Sequence, residues 1–190
     1  MDPLSRLFGS AARLKLLRLF LFNEDASFSV ADAAFRSKLT KEATRKEISV
    51  LNAAGVIKKR SGGKGVAYTA NRRFVHMDAL HQFVRATTNL SDADFINTLK
   101  RAGSLRLVIL SGLFTGAIET KVDMIVVGDK LEDRPLEAAV RTLEAELGRE
   151  ICYAAFSTED FRYRMGVYDR LIRDVMDYPK RIILDKIGLK

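Results

Sequence analysis

Tryptophan is absent from this 190-residue chain, cysteine occurs once, histidine twice and proline three times. One cysteine, Cys152, cannot close an internal disulfide, so no disulfide framework supports the fold, and a reducing, cytoplasmic setting is expected. His76 and His81 with Asp78 look like the start of a metal site, but imidazoles five residues apart on a helix point in different directions. They read as surface histidines, and neither a metal nor a cofactor is expected. Long apolar runs are missing too. Leu107 to Leu110 and Met124 to Val127 fall far short of the ~20 residues that cross a bilayer, so no membrane segment is expected. The start of the chain sets Arg6, Arg13, Lys15 and Arg18 among leucines. With the charges inside the apolar stretch instead of before it, an amphipathic helix is expected and a secretion signal is not.

What the chain does contain is 47% hydrophobic and 29% charged residues, the balance of a globular protein with a proper core. At roughly 100–200 residues per domain, it has room for one medium domain or two small ones, which excludes a large catalytic barrel. The net charge of +8 is unevenly spread. Residues 1–75 hold 15 Lys and Arg against 6 Asp and Glu, whereas residues 76–190 hold 17 against 18. Clustered cations attract phosphates and gain entropy by releasing condensed counterions, so the first part has the electrostatic footprint of a polyanion binder.

The pattern of that part is helical. Ser10 caps a helix to about Phe22 with Leu14, Leu17 and Leu21 on one stripe, and Ser29 begins a short helix, Val30 to about Arg36. Thr40 caps a third helix that Gly55 ends. On it Thr44, Ile48 and Leu51 share a buried face, while Lys41, Glu42, Arg45, Lys46 and Ser49 fall on the opposite side. Val56 to Arg60 and Val66 to Thr69 then read as strands joined by a flexible turn, Ser61 to Gly65, with Lys64 at its tip.

Three helices followed by a basic hairpin, with TKEATRKEISVLNAAGVIKKR from Thr40 to Arg60 at the centre, resemble the winged helix-turn-helix transcriptional regulators over residues 5–75. The resemblance implies double-stranded DNA as partner, with the third helix in the major groove and the wing along the flanking backbone or minor groove. Thr40, Lys41, Arg45, Lys46 and Ser49 would then meet base edges or nearby phosphates, and Lys59, Arg60 and Lys64 the backbone. Arg45 is the first candidate for reading sequence, because arginine pairs with both acceptors of guanine. A winged helix can instead be a protein-interaction module. That alternative is disfavoured because Glu42 and Glu47 are the only acids of the third helix and the wing has none.

Several apparent motifs dissolve on inspection. Gly62, Gly63, Lys64 and Gly65 lack the spacing of a phosphate-cradling loop, because a glycine follows the lysine. Cys152 lies in an apolar stretch without a nearby histidine and reads as a small buried hydrophobe. Ser91, Asp92 and Asp94 precede Phe95, Ile96 and Leu99 and read as the cap and first turn of a helix. Glu159 to Arg173 interleaves aromatic and basic residues, but its acids balance the charge, so it reads as an amphipathic surface or an interface.

After two linking helices, Met77 to about Ala86 and Asp92 to Ala102, the pattern alternates. Strand Leu105 to Leu110, turn Ser111 to Gly116 and strand Asp123 to Val127 are followed by a helix from about Arg134 to Leu147 and strand Glu150 to Phe156. Further helix is expected from Tyr168 to Met176. Ile182, Ile183, Leu184 and Ile187 are expected to dock on the core or on another copy. The stretch SGLFTGAIETKVDMIVVGD resembles the minimal nucleotidyltransferase fold over roughly residues 104–160.

Gly112 and Gly116 match that family's two glycines and Asp123 its second carboxylate. Lys121 stands where the first carboxylate is expected, Leu113 replaces the phosphate-binding serine, and Ile151 to Phe156 holds no acid. Lysine cannot ligate Mg²⁺, so two-metal nucleotidyl transfer is expected to be lost and no residue is assigned as catalytic. Gly112, Thr115, Gly116, Lys121 and Asp123 remain as a candidate site for a small anionic or nucleotide ligand.

The expected architecture is α+β. It comprises a winged helix-turn-helix domain at 1–75, a helical linker at 76–103 and a small mixed nucleotidyltransferase-like domain at 104–190. The expected function is that of a sequence-specific DNA-binding regulator, with no enzymatic activity, whose second domain mediates homodimerisation, ligand sensing or both. The rival readings are an active nucleotidyltransferase recruited by the winged helix and an antitoxin-like interaction protein.

Overall fold

Ser10, Ser29 and Thr40 each accept a hydrogen bond from the backbone N–H three residues on, and these caps start three successive helices. The computed structural model describes residues 3–62, 65–117 and 119–189, and the fold is mixed α+β. The chain divides into two units: residues 1–90 with 141–149, and residues 91–140 with 150–190. The stretch read as a helical linker therefore splits between them.

The first unit contains α1 (Pro3–Leu7), which the sequence reading did not anticipate, α2 (Ala11–Phe22), α3 (Val30–Arg36) and α4 (Lys41–Ala53). The strands β1 (Ile57–Gly62) and β2 (Gly65–Ala70) follow, and then α5 (Met77–Thr87). β1 and β2 form an antiparallel hairpin, and Phe28 bridges to Tyr68 through a pair of backbone hydrogen bonds at the far edge of β2. The core gathers Leu16, Leu17, Phe20 and Leu21 of α2 with Ile48 and Leu51 of α4, Ile57, Ala70 and Val84.

Here the sequence expectation for α2 needs correcting. It is not an amphipathic surface helix: Leu16, Leu19 and Phe20 fill the faces beside the Leu14–Leu17–Leu21 stripe, and every residue from Leu16 to Leu21 is buried. A helix that is apolar nearly all round packs in a core. Even Arg18 is enclosed. Its Nε donates to Thr88 Oγ1 at 3.0 Å and its Nη1 to the carbonyl of Glu146 at 3.0 Å.

The second unit begins with α6 (Asp92–Leu99), where Ser91 and Asp94 cap each other reciprocally, as the sequence implied. Then come β3 (Ser104–Leu110), β4 (Met124–Asp129), α7 (Asp133–Leu147), β5 (Tyr153–Phe156), α8 (Thr158–Gly166), α9 (Arg170–Asp177) and β6 (Arg181–Asp185). The sheet order is β5-β4-β3-β6, with β4 parallel to β5 and the other pairs antiparallel. The isoleucine-rich segment at 182–187 therefore contributes an edge strand, with Ile182 opposite Ile109. All of α8 lies before the helix expected from Tyr168, in a stretch for which no helix was expected.

Cys152 is the other correction. It is exposed and precedes β5 instead of lying within it. Its N–H is drawn to the carboxylate of Asp123 and its carbonyl accepts from the N–H of Asp123, so the chain turns before the strand proper begins.

The reciprocal caps carry a pH dependence. Hydrogen bonds from the hydroxyl and then the backbone N–H of Ser29 hold the Asp32 carboxyl below its ordinary value, and Ser91 does the same for Asp94. A depressed folded pKa means stability that is present above the unfolded value of about 3.9 and lost as pH falls through the folded value. Urea unfolding of an Asp32→Asn/Asp94→Asn chain should therefore show a shallower loss of stability below about pH 4 than the parent. Equal slopes would contradict the role given to the two caps.

Candidate nucleic-acid interface

α4 owes its two faces to sequence spacing. Thr44, Glu47, Ile48 and Leu51 recur at i, i+3, i+4 and i+7 and are buried, which leaves Lys41, Glu42, Arg45, Lys46 and Ser49 exposed on the other side. Thr40 is exposed as well, but its hydroxyl oxygen is engaged as the cap, accepting from the Ala43 N–H at 3.2 Å. The Thr44 hydroxyl donates to the Thr40 carbonyl at 2.9 Å, which satisfies a polar group under the helix.

Glu47, the second acid of this helix, does not share the exposed side with Glu42. It points inward and accepts from Arg13 Nε at 2.8 Å, while Arg13 Nη1 donates to the carbonyl of Phe8 at 2.7 Å. The signal was available in its position on the buried stripe. The pairing removes one negative charge from the solvent side of α4 and uses up one cation of α2. Lys15 is similarly engaged, 2.8 Å from Glu146.

The consequence is a sorting of the cationic surplus. The cations of α2 are occupied within the unit, whereas Lys41, Arg45 and Lys46 of α4 and Lys59 and Arg60 of β1 are exposed and have no acidic partner among the described residues. Glu42 is the one acid left exposed on α4.

The hairpin divides its own charges. Side chains alternate along a strand, so Lys58 and Arg60 share one face and Lys59 takes the other. Lys58 and Arg60 line a hollow of about 170 Å³ together with Glu24, Asp25 and Arg72. Arg72 lies 2.7 Å from Asp25 Oδ1 and 3.4 Å from Glu24 Oε2. Arg60 thus sits in a field of both signs, and Lys59 on the opposite face does not share that hollow. Lys64 lies outside the described residues. Val50, exposed beside Ser49 on α4, escaped sequence reasoning because apolar residues were assigned to the core.

At the ends of β3 and β4 the second candidate site has a different character. Gly112 is buried at φ +46°, and a Cβ there would collide with Asp123 Oδ1. That oxygen accepts the Leu113 N–H at 2.7 Å, and Oδ2 accepts the Cys152 N–H at 2.9 Å. Asp123 therefore ties two loops together through backbone bonds. The Thr115 hydroxyl donates to the carbonyl of Pro179 at 2.8 Å. Gly116 and Lys121 are exposed. Gly112 and Asp123 are thus brought into contact, whereas Thr115 is turned to a carbonyl of the chain.

No protein-family model, curated protein or solved structure matches the chain. Among the described residues no group of three or more His, Cys, Asp or Glu is placed to hold a metal ion. His76 and His81 go separate ways, each edge-on to a different phenylalanine, Phe74 and Phe22 respectively. No helix among the described residues is long and apolar enough to cross a membrane.

Proposed function

We propose that the chain is a sequence-specific DNA-binding transcriptional regulator of the winged helix-turn-helix kind, with α4 entering the major groove and the β1–β2 hairpin following the flanking backbone. The observation that carries this reading is the set of exposed cations without acidic partners on α4 and β1, alongside Glu47, which faces inward. Free cations on a helix wide enough to fill the major groove are what phosphate contact and base readout need. Arg45 reads a guanine, Lys41 and Lys46 set the register on phosphates, and Val50 meets a thymine methyl.

The second unit is proposed as a nucleotidyltransferase-like domain that supports dimerisation, ligand sensing or both. The order strand, glycine turn, strand, helix and parallel strand supports that likeness. Two features favour a regulatory role over a catalytic one. Both carboxylate oxygens of Asp123 are engaged by backbone N–H groups, and Lys121 takes the place where the family likeness calls for an acid. A ligand regulates DNA binding only if it binds the competent and incompetent arrangements with different affinity.

Selection of bound sequences from a random duplex pool tests the reading. The parent should enrich a defined motif, and Arg45→Ala should relax one G·C position by about 1–3 kcal/mol while keeping the rest. A parent that enriches no motif would overturn sequence-specific binding.

A further inference from the structure

We propose that the corner formed by α8 and α9 is the surface on which two copies of this chain meet, with the Tyr168 ring of each copy seated in a hollow of the other. Ile172 and Met176 of α9 line this hollow of about 250 Å³, together with Met165, one side of Tyr168 and the charged residues Asp169, Arg173 and Asp177. Sites for small molecules run to roughly 300–1,000 Å³, so this one suits a single large side chain better than a ligand. Such a side chain stands on its lip. Tyr168 is 79% exposed, and Val167 and Tyr163 beside it are 56% and 67% exposed.

The backbone holds Tyr168 there against its preference. At the end of α8 the Asp169 N–H donates to the Arg164 carbonyl at 2.9 Å and the Tyr168 N–H to the Met165 carbonyl at 3.3 Å. These are the two bonds of a Schellman closure, and they place residue 168 at φ +54°, a position usually occupied by glycine. A tyrosine at that position borders the hollow of its own chain yet keeps most of its ring in solvent. A second chain gives the ring a place to bury.

Charge favours a second copy as the occupant. From Thr158 to Asp177 the sequence holds four arginines and five acids, so two such surfaces approach without strong net repulsion, unlike the cationic surfaces of the first 75 residues. A protruding side chain on the edge of its own receptor hollow also fits an isologous two-fold contact, in which each Tyr168 meets the other copy's hollow. This names a surface for the dimer of the regulator reading, yet it stands without any DNA.

Sedimentation velocity on the full chain over a wide concentration range, with no DNA present, is the test. The parent should dimerise reversibly, and Tyr168→Gly should raise the dimer dissociation constant by about tenfold or more, as loss of a buried aromatic anchor does. Glycine relieves the left-handed backbone, so the variant should keep its far-UV circular dichroism and remain folded. Met176→Lys, which fills the hollow from one of its own walls, should weaken the dimer in the same way. A parent that stays monomeric throughout, or a dimer that Tyr168→Gly leaves intact, overturns the proposal. Because DNA enters neither readout, failure here is distinguishable from failure of the regulator reading.

Discussion

Replacing Asp123 with alanine is expected to destabilise the second unit by about 3 kcal/mol, measured by urea unfolding, without loss of a binding function. Hydrogen bonds to a charged group contribute roughly 1.5–3 kcal/mol each, and this carboxylate accepts two, from Leu113 and Cys152. Cys152 is exposed, so water replaces part of what its N–H loses, which places the sum toward the lower end. Asp123→Asn should cost about half as much, because an amide offers one acceptor oxygen and turns an NH₂ toward the other donor. A carboxylate held free for a metal ion or a reacting group behaves differently, since its removal leaves the fold unharmed or relieves it. An Asp123→Ala chain as stable as the parent would therefore contradict the structural role and return this residue to the candidates for chemistry.

A comparable loss, about 4 kcal/mol, is expected for Gly148→Ala. Gly148 sits at φ +72°, where an L side chain costs roughly 1–2 kcal/mol. Its Cβ would lie 2.5 Å from the carbonyl carbon of Arg18 and 2.7 Å from the Leu19 nitrogen. Those are backbone atoms of a buried helix and cannot swing aside, so overpacking adds roughly 1–3 kcal/mol. The contact is also clamped: Asn23 Nδ2 donates both to the Leu19 carbonyl at 2.7 Å and to the Gly148 carbonyl at 2.8 Å. Gly188→Ala is the control, with nearly the same backbone angle, φ +73°, and nothing within 4 Å of the added carbon. Its expected cost is the backbone share alone, about 1 kcal/mol. Equal losses at the two positions would show that the overlap with α2 is not what Gly148 avoids.

The parts of this fold legible in the sequence are those fixed over three or four residues. Ser10, Ser29, Thr40 and Ser91 announce helix starts because a cap needs only its own oxygen and a nearby N–H. The exposed side of α4 follows from the spacing of Thr44, Ile48 and Leu51 alone. What escaped depends on distant partners or weak patterns. Burial of α2 on all sides depends on what surrounds it, and a leucine stripe says only that one face is covered. In α8 only Phe161 is buried, and the helix is tied by an Asp160–Arg164 pair one turn apart, so no apolar stripe announces it. Ile182 to Leu184 could have packed anywhere apolar; only the ladder with β3 makes them a sheet edge. At the candidate interface the residue types and their side of the helix were readable. The ion pair that satisfies Glu47 needed Arg13, far away in sequence, and the separation of Lys59 from Arg60 needed the hairpin register.

The central claim is that the exposed cations of α4 and β1 bind duplex DNA, and the dependence of duplex affinity on salt tests it most directly. If Lys41, Lys46, Lys59 and Arg60 each neutralise a phosphate while Arg45 meets a base, log K should fall against log salt with a slope near −3.6, at about 0.9 per contact. In the chain carrying Lys41→Ala, Arg45→Ala and Lys46→Ala, the slope should become shallower by nearly 2, from the two lysine–phosphate contacts. A triple variant with the parental slope, or a parent that does not bind duplex at low salt, would contradict the account.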